Sequence, residues 1–122
     1  MATITEDYVS FETAKLLKEK GFHEVCKCQY GRHGDIGWTS SNNGNITTFA
    51  RPTLQMAMKW LREKGIYITI VYGDYPSLNK VFYTPQIDSL EGFDLPIDFY
   101  KEYDKYEEAE EAGIKYALEN LI

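Results

Sequence analysis

The chain has 122 residues, 43% of them hydrophobic and 26% charged, which is enough to form one soluble globular domain with a buried core. Its formal net charge of −6 argues against sequence-independent binding to nucleic acid phosphates. The N-terminal MATITEDYVS lacks the basic and apolar parts of a signal peptide, and the longest apolar run, IYITIVY, is too short to span a bilayer. We therefore expect one cytoplasmic domain over residues 1–122, with reduced cysteines and no nucleic acid or membrane partner.

The charge is unevenly distributed along the chain. Residues 1–87 contain ten Lys or Arg against eight Asp or Glu, whereas residues 88–122 contain three against eleven, a net charge of −8. Such a run of charge is most often a solvated helix face. Mimicry of a nucleic acid by the acids of residues 88–111 is the alternative interpretation.

Two helices are predicted from matching start and stop signals. Ser10 precedes FETAKLLKEK and is a suitable N-cap for a helix over 11–20, and Gly21 provides the left-handed residue that ends many helices. TLQMAMKWLREKGI repeats this pattern, so a second helix is expected to begin at Thr53 and to end before Gly65.

The segment between these helices has the alternation of short strands. VCKCQY, residues 25–30, is predicted to be one strand. WTSSNNGNITTF is predicted to be a hairpin, because Asn43-Gly44 is typical of a two-residue type I′ turn. In that register Trp38 stands opposite Phe49.

Three further strands are predicted after the second helix. IYITIVYG has the clearest pattern, with four large side chains on one face: Ile66, Ile68, Ile70 and Tyr72. KVFYTPQI, residues 80–87, is expected to return beside it. FDLPIDF, residues 93–99, has a proline and two acids on one side, which is typical of a protected edge strand.

A third helix closes the sequence. Asp104 and Glu107 form a D-x-x-E variant of the capping box, and Gly113 lies on the inward face, which indicates that the helix packs closely on a sheet. The acids of its first turns are expected to be solvated: Glu107, Glu108, Glu110 and Glu111. The order α-β-β-β-α-β-β-(β)-α predicts an α+β fold, a mostly antiparallel sheet of about five strands with three helices.

HEVCKCQYGRH, residues 23–33, contains both histidines and both cysteines of the chain. Two sulfurs on one zinc ion lie roughly 3.8 Å apart, whereas strand residues two apart are separated by about 6.6 Å. Cys26 and Cys28 are therefore predicted to be core residues rather than metal ligands, with His23 at a strand end and His33 in a loop. No metal or other cofactor is predicted.

The loop GRHGDIGW brings a cation, an imidazole, a carboxylate and an indole onto one irregular segment: Arg32, His33, Asp35 and Trp38. This combination makes the loop a candidate for binding a small ligand or a partner. No serine or cysteine motif accompanies it, so catalysis is unsupported and no catalytic residue is assigned.

Aromatic residues are abundant, with ten tyrosines, six phenylalanines and two tryptophans. Four tyrosines fall on or near the predicted hairpin, namely Tyr67, Tyr72, Tyr75 and Tyr83, and Tyr100, Tyr103 and Tyr106 lead into the third helix. Tyrosine is enriched at protein interfaces, and Tyr100 and Tyr103 are candidate partner-binding residues. Core rings whose hydroxyl groups reach solvent are the alternative.

VSFETAKLLKEKGF, PTLQMAMKWLREK and YEEAEEAGIKYALENLI resemble a family of small proteins without assigned activity from gut Bacteroides and their phages and mobile elements. These blocks cover little more than a third of the chain, within the three helices. The resemblance implies an accessory protein of phage or mobile-element origin. The leading hypothesis is a non-catalytic protein that binds a protein partner or itself through a tyrosine-rich surface, and the alternative is a ligand- or metal-binding protein, including an enzyme, that uses residues 31–38.

Overall fold

The computed structural model describes residues 6–89 and 101–122. Three helices and five strands follow one another in the order α1 Phe11–Glu19, β1 Gln29–Tyr30, β2 Ile36–Gly37, β3 Phe49–Ala50, α2 Leu54–Glu63, β4 Ile66–Tyr75, β5 Lys80–Ser89 and α3 Tyr106–Asn120. The strands form two antiparallel sheets, β2-β1-β3 and β4-β5, which confirms the α+β prediction. The predicted edge strand at 93–99 lies outside the described residues.

The start and stop signals of α1 and α2 are confirmed. The Ser10 hydroxyl accepts a hydrogen bond from the Thr13 N–H at 3.2 Å, as an N-cap does. Thr53 has the same role for α2. Both helices end at a glycine with positive φ, +94° at Gly21 and +84° at Gly65, a conformation that costs glycine little.

The start of α3 differs from the predicted capping box. The N-cap is Lys105, which makes no side-chain cap bond, and Asp104 forms an ion pair with Lys80 at 3.7 Å instead. The close approach at Gly113 is confirmed. A Cβ atom there would lie 3.0 Å from Ile68 Cγ2 and 3.2 Å from Pro85 Cβ, so the glycine lets α3 lie directly on the β4–β5 sheet.

The predicted hairpin around Asn43-Gly44 is wrong. β1 is instead the central strand of its sheet, with Tyr30 opposite Phe49 of β3, and Cys26 makes only an isolated bridge outside the strand. The reason lies in Asn43, which is buried with φ of 66°. Its side chain donates to Phe22 O at 2.8 Å and accepts from Ala50 N at 2.6 Å, so it organises a loop rather than a tight turn.

The core unites all three helices with one end of the β4–β5 hairpin. Its fully buried large side chains come from α1, α2, α3 and the segment after α1, and include Leu17, Phe22, Leu61, Ile114 and Leu118. Helices α2 and α3 both pack on β4, and α3 also packs on β5. The buried residues of the two strands lie within 66–70 and 85–87, which we call the covered half of the hairpin. Residues 71–84 form the distal half, which extends beyond the helices. In the described part of the chain no helix combines the length and apolar character that crossing a bilayer requires.

Candidate functional site

The distal half of the hairpin exposes aromatic and aliphatic side chains on the face that the helices cover elsewhere. Tyr72 follows Ile70 on this face, stands opposite Tyr83 and is 61% exposed. The rings of Tyr72 and Tyr83 are 6.3 Å apart, and Tyr83 meets the ring of Tyr106 edge-on at 5.8 Å. Because α3 begins only at Tyr106, Val81 and Tyr72 remain open to solvent.

The opposite face of the hairpin is also rich in apolar side chains. Tyr67, Val71 and Tyr75 alternate along β4 and are partly exposed, and the ring of Tyr75 lies 4.9 Å from that of Phe82. The Tyr75 hydroxyl donates to the Glu102 carboxylate, and this hydrogen bond raises the pKa of Tyr75. We call the exposed side chains on the first of these two faces, Tyr72 and Val81, together with Tyr106, the tyrosine surface.

Of the two tyrosines proposed for partner binding, the structure describes Tyr103, and Tyr100 lies outside the described residues. The backbone of Tyr103 pairs with Tyr83 on the outer edge of β5, through N···O distances of 2.7 and 2.8 Å. Burial, followed by the charge of Glu108, raises the pKa of Tyr103. Tyr103 therefore closes one edge of the sheet beside the tyrosine surface.

The candidate loop at 31–38 divides into two parts. Arg32, His33 and Asp35 are exposed, and within the described ranges no hydrogen bond or ion pair joins their side chains. Trp38 instead packs against the N-terminal segment, where its ring meets Tyr8 edge-on at 5.9 Å. The loop thus does not gather its four candidate side chains into one constellation.

Arg51 also lies near Trp38 and was not predicted from the sequence as a site residue. Its guanidinium lies 4.2 Å from the ring centroid of Tyr8, 5.2 Å from that of Tyr30 and 5.6 Å from that of Trp38. Stacking of this kind is a favourable cation–π arrangement. Trp38 lies at the rim of this cluster and remains 70% exposed. No local motif predicts the cluster, because its four residues are far apart in sequence.

Both cysteines are buried free thiols, as predicted for core residues. Burial, followed by the nearby Cys28 and Glu24, raises the pKa of Cys26 to about 11, so this thiol stays protonated at neutral pH and is a poor nucleophile or metal ligand. His23 and His33 are exposed. Among the residues that the structure describes, no group of three or more His, Cys, Asp or Glu is arranged to hold a metal ion.

The expectation that Glu110 is solvated is wrong, because its side chain is only 3% exposed. Gln55 Nε2 donates to Glu110 Oε2 at 2.9 Å. Burial, followed by the charges of Glu107 and Asp7, raises the pKa of Glu110 to about 7. The sequence did contain a signal, since Glu110 lies three positions before Gly113 on the inward helical stripe.

A cleft of about 500 Å³ separates the N-terminal segment from α3, and Tyr8, Tyr103 and several acids line it. The Glu111 carboxylate in this cleft accepts hydrogen bonds from the Ser10 N–H at 3.0 Å and from the Thr13 hydroxyl. This carboxylate therefore ties α3 to the start of α1.

Comparison of the chain with models of known protein families, with curated proteins and with solved structures gives no match. The exposed tyrosine surface is a feature that a stable core does not require.

Proposed function

We propose that this protein is a small, non-catalytic interaction protein that binds a protein partner or a second copy of itself through the tyrosine surface. The observation that carries the proposal is the exposure of Tyr72, Val81 and Tyr106 on the side of the hairpin that the helices cover elsewhere. The ring of Tyr83 lies between those of Tyr72 and Tyr106, and Leu78 in the adjoining turn is 70% exposed. An apolar patch of several neighbouring side chains at the end of a sheet is typical of a protein-binding surface.

The chemistry of the patch suits a protein rather than a nucleic acid. Tyrosine offers a large rigid ring and a hydroxyl group, and little rotamer freedom is lost when it is bound. The patch lies in an acidic chain with a net charge of −6, which disfavours phosphate backbones. Only one acid, Asp74, lies on β4 itself.

The biological setting belongs to the same proposal. A cytoplasmic accessory role in phages or mobile elements rests on the helical blocks described above. The alternative, a ligand site in the 31–38 loop, has weaker support because Arg32, His33 and Asp35 do not converge on a common point of contact.

The test is affinity capture with a double variant, Tyr72→Ser/Val81→Ser, which removes exposed apolar groups without disturbing the covered half. Cell extract is passed over the immobilised wild type and over the immobilised variant, and the proteins retained on each are quantified by mass spectrometry. We expect the variant to retain at least tenfold less of the protein that the wild type binds specifically. The matched control is Val25→Ser/Ile46→Ser, because Val25 and Ile46 are exposed apolar residues away from the hairpin.

The control variant should retain the same proteins as the wild type. Equal retention by the wild type and by Tyr72→Ser/Val81→Ser would contradict the proposal. Loss of binding in the control alone would move the interface to the region of residues 25–46.

A further inference from the structure

Among the described residues, the outer edge of β4 in the β4–β5 sheet has no backbone partner. The two strands pair in an unbroken antiparallel register from Ile66–Ser89 to Tyr75–Lys80. The outer edge of β5 is occupied at Tyr83 by Tyr103, whereas no described residue hydrogen-bonds to the outer edge of β4. An unpaired strand edge is a template for another β-strand.

The pairing of β5 with Tyr103 indicates which backbone groups of β4 face this open edge. Tyr83 both donates to and accepts from Tyr103, so its peptide groups point away from β4. In an antiparallel pair, residues alternate between pairs that exchange hydrogen bonds and pairs that do not, so Tyr72, opposite Tyr83, points its own N–H and C=O to the open edge. Every second residue of β4 does the same: Ile66, Ile68, Ile70, Tyr72 and Asp74.

The position of Pro85 agrees with this assignment. Proline has no N–H, and it stands opposite Ile70 at a position whose N–H would point away from β4.

The open edge of β4 lacks the features that usually prevent pairing. Its sequence, IYITIVYGDY, contains no proline, lysine or arginine, and its register shows no bulge. Its one charged residue is Asp74, next to the end of the strand. β5, by contrast, contains Lys80, Pro85 and Asp88.

We propose that the partner of this edge is β4 of a second copy, paired antiparallel about a two-fold axis at Ile70, so that two hairpins form one four-stranded sheet. This inference rests on the proposed function, because it names the partner of the same hairpin. In this register Ile70 meets its own copy, Ile68 meets Tyr72, and Ile66 meets Asp74. Each outward-facing N–H and C=O of β4 then finds a partner.

Charge also favours this register. The two Asp74 residues would be eight positions apart along the strands, a separation of about 27 Å, which exceeds the screening length of about 8 Å at physiological ionic strength. The two Asp74 carboxylates therefore do not oppose pairing in this register. Tyr72 of each copy would lie beside Ile68 of the other on the same face of the joined sheet, which removes part of the Tyr72 ring from solvent.

The experiment uses a pair of matched charge variants on the solvent-facing side of β4. In the proposed register Thr69 of one copy stands opposite Val71 of the other, with Cβ atoms about 5 Å apart, and both side chains are exposed in the monomer. Thr69→Lys/Val71→Lys places like charges across the interface, whereas Thr69→Lys/Val71→Glu places opposite charges there.

Sedimentation equilibrium of the full chain measures the result. For the wild type we expect a dimer with a dissociation constant on the order of 1–100 μM, as small interfaces give. We expect at least a tenfold weaker dimer for the double-lysine variant and wild-type or tighter association for the lysine–glutamate variant. Unchanged far-ultraviolet circular dichroism of all three proteins shows that the fold is retained.

Three outcomes would overturn the inference. A wild type that stays monomeric at several hundred micromolar would exclude self-pairing, while the capture experiment above would still decide whether the tyrosine surface binds another protein. Equal dimerisation of all three proteins would place the dimer contact elsewhere. Loss of the dimer in both variants would exclude the register centred on Ile70.

Cysteine cross-linking tests the register independently. With oxidant, Thr69→Cys/Val71→Cys should form a covalent dimer, because the thiol at position 69 of one copy faces the thiol at position 71 of the other. Val71→Cys alone should not, since it faces Thr69. A covalent dimer of the single variant would overturn the Ile70 register, and the native thiols of Cys26 and Cys28 are buried and do not interfere.

Discussion

The two halves of the β4–β5 hairpin have the same strand geometry, but helices cover one half and solvent surrounds the other. In the covered half, Ile66, Ile68 and Ile87 are buried beneath α2 and α3. In the distal half, Tyr72 and Val81 continue the same face without a helix over them. The same apolar face is therefore part of the core in the covered half and exposed surface in the distal half.

This difference indicates which residues serve stability and which are available for binding. Removing an apolar side chain costs free energy in proportion to the surface and contacts it loses in the folded state. Residues of the covered half should thus dominate the free energy of unfolding, and residues of the distal half should affect it little.

Ile68→Ala should give the largest loss of stability. Ile68 is 8% exposed and touches α3 beside Gly113, so the truncation leaves a cavity and should lower the free energy of unfolding by about 2–5 kcal/mol. Urea denaturation measures the change. Val71→Ala is the control from the same strand, since Val71 is 41% exposed, and equal losses in the two variants would refute the division into halves.

Glu110→Gln should change how stability depends on pH. The pKa of Glu110 is raised from 4.5 to about 7 in the folded protein, so between these values the folded state keeps a proton that the unfolded state has released. The free energy of unfolding should therefore fall as pH rises from 4.5 to 7. The variant should remove this slope and gain about 1–3 kcal/mol at pH 8, with little change at pH 4.

Denaturation of the Glu110→Gln variant and the wild type at several pH values checks this prediction. The bond from Gln55 can persist, because a glutamine side chain retains an oxygen acceptor. The same pH slope in the two proteins would show that Glu110 ionises normally. Glu119→Gln, at an exposed position of the same helix, is the control and should leave the slope unchanged.

Gly113→Val tests how closely α3 lies on the covered half. A Cβ at this position already approaches Ile68 and Pro85 to 3.0 and 3.2 Å, so the added methyl groups should force a shift and cost about 1–3 kcal/mol. For Gly113→Ala, a helix-propensity gain of about 1 kcal/mol offsets the tight contact, and the net change should be small. Ala112→Val is the control, because Ala112 is only half-buried, and an equal cost there would argue against the close contact.

The sequence predicted those parts of the fold whose signals are local. The N-caps at Ser10 and Thr53, the stops at Gly21 and Gly65, and the alternating pattern of β4 each involve neighbouring residues. The prediction of a hairpin around Asn43 was wrong because tertiary contacts determine the conformation of this segment. The Asn43 side chain bonds to two distant backbone positions, which no turn propensity reveals.

The candidate site could be predicted only in part, for the same reason. Tyrosine content and strand pattern placed Tyr72 and Tyr83 on one hairpin, but how far the helices extend over it depends on tertiary packing. The stacking of Arg51 against Trp38 depends on an encounter between distant segments. Glu110 lay on the buried stripe of a recognisable helix, so helical periodicity could have found it.

Tyr72→Ala should have the smallest effect on the stability of the monomer, although Tyr72 lies at the centre of the tyrosine surface. Its side chain is 61% exposed, and substitutions at such positions usually change the free energy of unfolding by less than about 0.5 kcal/mol. If two copies pair through β4, however, dimerisation adds to the apparent stability at high protein concentration. The wild type and the variant should therefore unfold alike at about 1 μM and diverge at about 200 μM, with the wild type more stable. Thermal unfolding at the two concentrations measures the stability of the monomer and the stability that dimerisation adds. A difference of the same size at both concentrations would assign Tyr72 to the core and remove the contrast between the two halves.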